Sequence, residues 1–208
     1  MPTEKVHVFG AGGHAKVVID ALRASAGEGI GVRLFDDNPA RVGSVVAGIV
    51  VEAAAELAAE DRFHVAIGTN AARSRRAAKI ASGGSRPLTV VHPKSAIASS
   101  ARVEDGAFVA AFAVVGPDST VGAGTIVNHG AIVDHDCVLG AFSHIAPRAV
   151  LGGGVAVGER VLVGAGAVIL PGLMIASDVV IGAGAVVTRS IENAGTFIGT
   201  PAREVSRG

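Results

Sequence analysis

A small parallel α/β sheet of Rossmann type followed by an all-β parallel β-helix is the fold this sequence predicts, and three observations predict it. From Ala96 to Ile191 the chain reads as sixteen consecutive blocks of six, and the second residue of every block is Ile, Val or Leu. A period of six fits neither an amphipathic helix nor a heptad, but it fits a β-helix built from hexapeptide repeats. The first ninety residues lack that period and alternate short apolar runs with helical patterns, as βαβ units do. A glycine turn, Gly10-Ala-Gly12-Gly13-His14, joins the first apolar run to the first helical one. His92-Pro93 ends the first unit, which gives domains over residues 1–92 and 93–208.

In chain order, Val6–Phe9 is a strand and Ala15–Ala24 a helix, with the glycine turn between them. Strand, glycine turn and helix N-terminus make an anion site, because free backbone N–H groups and the positive dipole end face the ligand. A second strand, Gly31–Phe35, ends in Asp36-Asp37-Asn38-Pro39. Helix Glu52–Glu60, strand Phe63–Gly68, helix Ala71–Ser82 and strand Leu88–Val91 complete the unit. The turn lacks the G-x-G-x-x-G spacing of dinucleotide-dependent dehydrogenases, and a β-helix is no hydride-transfer domain. A mononucleotide diphosphate fits better, with Gly12, Gly13 and His14 near the phosphates. Asp36 and Asp37 are then placed to accept hydrogen bonds from a base or ribose. The plainer alternative for these two is a solvated turn.

In the repeat region each block supplies one short strand and one corner, and three blocks close a triangular coil. The aliphatic residues, from Ile97 to Val187, point inward and stack coil on coil. The sixth residue of a block is small or β-branched in all but two blocks, which suits a tight corner. Glycine at the third place is expected to supply backbone freedom where the chain turns. About five coils at the ~4.8 Å spacing of neighbouring strands make a prism roughly 25 Å long.

Composition narrows the function. Lys plus Arg equal Asp plus Glu at 18 each, so no global field favours nucleic acid or an anionic membrane. Aromatic residues are 3%, with no Trp or Tyr, which argues against base-stacking platforms. The single Cys137 permits no disulfide framework, and its place in the repeat points it inward, so it is not a nucleophile. The start of the chain lacks a basic segment followed by a long apolar run, and no uninterrupted apolar stretch is long enough to span a bilayer. A cytoplasmic protein is expected.

One polar cluster interrupts the prism: Asn128-His129, then Asp134-His135-Asp136-Cys137, with His144 nine residues on. His129 and His135 fall on adjacent faces. His135 and Gly153 are eighteen residues apart, so they stack one coil above the other. His144 points elsewhere in the same subunit, but in a threefold assembly it could meet His135 of a neighbour, in a groove between subunits. A lone His in a strand is usually structural, and that reading is preferred for His129. His135 differs because Asp136 stands beside it: a carboxylate on one imidazole nitrogen fixes the tautomer and raises the basicity of the other. Histidines facing different directions make no zinc site, so no metal is expected.

The motifs Val8-Phe-Gly-Ala-Gly-Gly-His14-Ala-Lys-Val-Val18, Ala66-Ile-Gly-Thr-Asn70, Val133-Asp-His135-Asp-Cys137 and Gly199-Thr-Pro201-Ala-Arg203 occur in that order. Together they resemble the bacterial nucleotide-sugar N-acetyltransferases similar to bacillosamine and GDP-perosamine N-acetyltransferases, often grouped with sialic acid O-acetyltransferases. The resemblance implies a left-handed β-helix, a homotrimer, acetyl-CoA as co-substrate and an N-terminal nucleotide-sugar-binding unit. It implies that His135 is the general base and Asp136 the acid that raises its basicity, where the family often has Glu. It implies that His144, Gly153, Ala165, Gly182 and Gly184 contact acetyl-CoA. Gly12, Gly13, His14, Asp36, Asp37 and Gly68 would contact the nucleotide sugar, with Asn128 near the sugar. The expected reaction is direct acetyl transfer to the C4 amine of a UDP- or GDP-linked 4-amino-4,6-dideoxy sugar. O-acetylation of a sialic-acid-like sugar is the nearest rival, and a non-catalytic nucleotide-sugar sensor or scaffold is a rival of another class.

Overall fold

Short β-branched runs separated by glycine turns build the first part of the computed structural model, which describes residues 5–26 and 30–205. Its elements are β1 (Lys5–Phe9), α1 (Gly13–Ala26), β2 (Gly31–Asp36), β3 (Val45–Val46), β4 (Ile49–Ala53), β5 (Arg62–Val65), α2 (Asn70–Ala81) and β6 (Arg86–Pro87). The sheet order is β3-β4-β2-β1-β5-β6, parallel except for the β3–β4 hairpin. Phe9, Phe35 and Phe63, one from each of the three central strands, are almost fully buried. Phe9 stacks on Phe35 with centroids 5.0 Å apart and meets Phe63 edge-on at 6.5 Å. The strand expected over Leu88–Val91 to complete this unit is confined to Val90–Val91 and takes no place in the sheet, whose last strand is β6.

The helix expected over Glu52–Glu60 does not form. Strand β4 occupies Ile49–Ala53 and pairs parallel with β2, Leu34 opposite Val51 and Asp36 opposite Ala53. Local propensity of the Ala/Glu run loses to two demands of the sheet. The edge of β2 needs a hydrogen-bonding partner, and Val45-Val46 and Ile49-Val50-Val51 are β-branched runs joined by a tight turn. Ala47 and Gly48 both have positive φ, 49° and 78°, which is the backbone of a two-residue hairpin loop.

The chain divides into two compact units at Pro93/Lys94, and the second is the β-helix. Strands two residues long recur every six residues from Ala96–Ile97 to Val186–Val187. They form three parallel ladders, in each of which residues eighteen apart pair directly. The first face carries Ile97, Val115, Val133, Leu151, Ile169 and Val187 inward. The second carries Val103, Val121, Leu139, Val157 and Ile175, and the third Val109, Val127, Ile145, Val163 and Ile181. From Val109 onward every inward residue is less than 5% exposed; Ile97 and Val103, in the first coil, are half-buried.

The sixth-place residues line the corners and stitch coil to coil. Ser119, Thr125 and Ser143 are fully buried, and their hydroxyls donate to the carbonyls of Asp134, Gly140 and Gly158. The same oxygens accept from the N–H groups of Cys137, Ser143 and Val161 one coil on. Third-place glycines have a different cause from the one expected. Positive φ falls at the fifth place of the block, whereas a Cβ on Gly122, Gly140, Gly158 or Gly164 would stand 2.5 Å from backbone of the next coil. Glycine is there because the coils approach so closely.

Candidate active site

The corner between the first and second faces carries the titratable pair. Asp136 adopts φ 59°, a left-handed conformation that Asp tolerates better than most residues. Its Oδ2 lies 2.7 Å from His135 Nδ1. Asp134 Oδ1 accepts from the His135 backbone N–H at 2.8 Å, so a second carboxylate is held next to the same residue. The imidazole is 57% exposed. The hydrogen bond to Asp136, and after it the charge of Asp134, raise the His135 pKa above the ordinary histidine value. One coil on, Gly153 lies against the ring: a Cβ there would sit 2.5 Å from Nε2. The Gly153 N–H makes no hydrogen bond among the described residues, and its carbonyl accepts from Gly172. Cys137 next door is buried, donates to the Gly152 carbonyl at 3.3 Å and has its thiol pKa raised by burial. It is a corner residue.

The other expected residues of the prism fall elsewhere in the subunit. Asn128 and His144 meet on the third face, the Asn128 amide donating to His144 Nε2 at 3.1 Å, while Asn128 Oδ1 accepts from the His129 N–H. Ala165 and Gly184 share the corner between the third and first faces, where the Gly184 N–H donates to the Ala165 carbonyl. Gly182 packs where a Cβ would strike Ile198. Between the two corners lies the first face, whose outward column is Ala96, Val114, Ile132, Val150, Val168 and Val186. Val114 and Ile132 are more than a third exposed.

The N-terminal unit holds a cavity of about 560 Å³ at the carboxyl ends of β1, β2 and β5. Gly12, Gly13, His14, Asp36, Asp37 and Gly68 all line it. Gly12, Gly13 and Gly68 have ordinary φ, and a Cβ on any of them would touch nothing. Nothing in the packing of the described residues demands glycine at these places; what the missing side chains leave is room. Gly10 is the contrast, with φ 99° and a Cβ that would clash with Ile67. The N-termini of α1 and α2 both open on the cavity through Gly13 and Thr69, which favours anions. Asp36 has another duty: its oxygens accept from the Ala11 and Asn38 N–H groups and brace the glycine turn.

Residues 5–80 match the PglD N-terminal domain, and residues 136–171 and 154–189 match the bacterial transferase hexapeptide of six repeats. Among solved structures, a variant of perosamine N-acetyltransferase from Caulobacter crescentus, in complex with CoA and GDP-perosamine, is 37% identical. The alignment covers 98% of this chain and 97% of that one, with a TM-score of 0.90. The chain belongs to the hexapeptide-repeat nucleotide-sugar N-acetyltransferases. The acetyltransferase domain of PglB from Neisseria gonorrhoeae is 35% identical to this acyltransferase, over 98% of this chain and 100% of that one, with a TM-score of 0.92. The same domain in complex with acetyl coenzyme A superposes with a TM-score of 0.90 at the same identity and coverage.

Three arginines of this acetyltransferase escaped the sequence reading. Arg41 and Arg76 line the N-terminal cavity; Arg41 donates to the Ala11 carbonyl at 2.9 Å, and Arg76 lies 3.3 Å from Asp37 and over the Phe9 ring at 4.7 Å. Arg73 is 2% exposed and donates to the carbonyls of Ile67 and Gly68 and to Asn70 Oδ1. Burial pushes its pKa down to about 10, which leaves it cationic at neutral pH beneath the Gly68 turn. The acetyltransferase has no cluster of three or more metal-ligating side chains among its described residues, and no helix there is long and apolar enough to cross a membrane.

Proposed function

We propose that this enzyme transfers the acetyl group of acetyl-CoA directly to the C4 amine of a nucleotide-linked 4-amino-4,6-dideoxy sugar, with His135 as general base. The observation that carries the reading is the His135–Asp136 pair, exposed at a corner beside the unengaged Gly153 N–H. Relatives crystallised with CoA and GDP-perosamine support the choice of both substrates.

Asp136 takes the Nδ1 proton in hydrogen bond, so Nε2 is the basic nitrogen. The amine attacks the thioester carbonyl; its N–H proton passes to Nε2 as the C–N bond forms. The Gly153 N–H stabilises the oxyanion of the tetrahedral intermediate. Collapse breaks the C–S bond, and the imidazolium returns its proton to the departing thiolate. No covalent acyl-enzyme is needed. In the N-terminal cavity the open glycines and the two helix N-termini take the diphosphate. The apolar outward column of the first face supports a homotrimer, whose grooves would unite His135 and Gly153 of one subunit with His144, Ala165 and Gly184 of the next.

The decisive experiment is His135→Ala assayed by free-thiol release with acetyl-CoA and a nucleotide 4-amino sugar. A loss of turnover of at least ~100-fold is expected for a missing general base. Turnover near that of the unmodified enzyme would remove the central assignment.

A further inference from the structure

We propose that Asp37, set by Arg76, makes the N-terminal cavity select guanine over uracil, so that the nucleotide sugar is GDP-linked; this rests on the nucleotide-sugar reading of the cavity. The Gly12–Gly13 turn and these two residues line the same cavity. Arg76 is fixed: its side chain is 10% exposed, its guanidinium lies over Phe9, and its Nη2 is 3.3 Å from Asp37 Oδ1. Asp37 is 62% exposed, and its Oδ2 makes no hydrogen bond among the described residues. The side-chain oxygens of the two flanking residues already hold backbone N–H groups. Asp36 holds the Ala11 and Asn38 N–H groups, and Asn38 Oδ1 holds the Ala40 N–H. Asp37 is therefore the carboxylate left to meet a ligand at this end.

Arg76 and Asp37 side by side present one donor followed by two acceptors. Guanine presents the complement along its Watson–Crick edge, the O6 acceptor and then the N1–H and N2–H donors. Uracil offers O4 and N3–H and then a second acceptor, O2. Against uracil the second oxygen of Asp37 would face another oxygen with no proton between them. Specificity of this kind rests on the repulsive contact as much as the attractive one, and one good bidentate match discriminates by about tenfold or more.

Calorimetric titration of the full-length protein with GDP and with UDP tests this. GDP is expected to bind about tenfold or more tightly than UDP. Asp37→Asn turns one acceptor into a donor, so it should weaken GDP by a similar factor and leave UDP as tight or tighter. Equal or tighter binding of UDP by the unmodified protein overturns the inference and leaves acetyl transfer untouched. Equal weakening of both nucleotides by Asp37→Asn also overturns it, because the carboxylate would then be serving the ribose. Binding of neither removes the nucleotide reading itself, and this inference with it.

Discussion

As the proposed general base His135 would work only when deprotonated, so its environment would set the pH range of the reaction. Asp136 and Asp134 raise its pKa, and kcat/KM should therefore climb with pH through an inflection above that of an ordinary histidine, ~6.5. Asp136→Asn removes the larger of the two causes. The inflection should then move to lower pH while the plateau falls, because the base is weaker; a pH–rate profile unmoved by this change would detach Asp136 from the role of tuning the ring. Gly153→Ala acts on the same imidazole by contact, since the new methyl would stand 2.5 Å from Nε2 and force the ring aside. It should cost activity about tenfold or more with the fold intact by circular dichroism. The His135–Asp136 pair was legible in the sequence because the two residues are neighbours and their places in the block fix where they stand. The Asn128–His144 bond was not, since it spans sixteen residues and depends on which way two side chains lean. Arg41, Arg73 and Arg76 were invisible for a related reason: an arginine in a helical or turn segment is an ordinary solvated charge until the fold brings a cavity to it.

Among the elements, the coils of the β-helix followed the six-residue period throughout, because every inward position repeats the same packing demand. Their glycines show where pattern and cause separate. Gly140→Ala would set a methyl 2.5 Å from the backbone of Gly158, and overpacking of this kind typically costs 1–3 kcal/mol, read as a lowered Tm in thermal unfolding. The same substitution at Gly12, ahead of α1, meets open space. There Tm should hold while nucleotide affinity falls; a Tm loss comparable to that of Gly140→Ala would mean the residue serves the fold after all. The segment from Glu52 to Glu60 was misread because alanine and glutamate are good helix formers. Hydrogen bonding along the exposed edge of β2 outranked that propensity, a non-local demand that a window of nine residues does not contain.

Across the whole molecule, the division near residue 93 follows the change from alternating elements to a fixed period, and both units show it in their own packing. The aliphatic column of the first face makes a further prediction. Ile132→Asp places a charge in the middle of that column, and light scattering should then report a species smaller than the unmodified protein, for which the proposed homotrimer is expected, with activity lost if the site is shared between subunits. A monomeric unmodified protein would defeat the groove model outright. The pairing of residues eighteen apart also governs how such a chain can change length. Losing or gaining six residues between His135 and Gly153 would rotate everything downstream by a third of a turn, carrying the rest of the aliphatic column to another side and parting the two residues. Only whole turns can be added or removed without scrambling what faces what, so length variation among such chains should come in multiples of one complete circuit or be confined to the two ends.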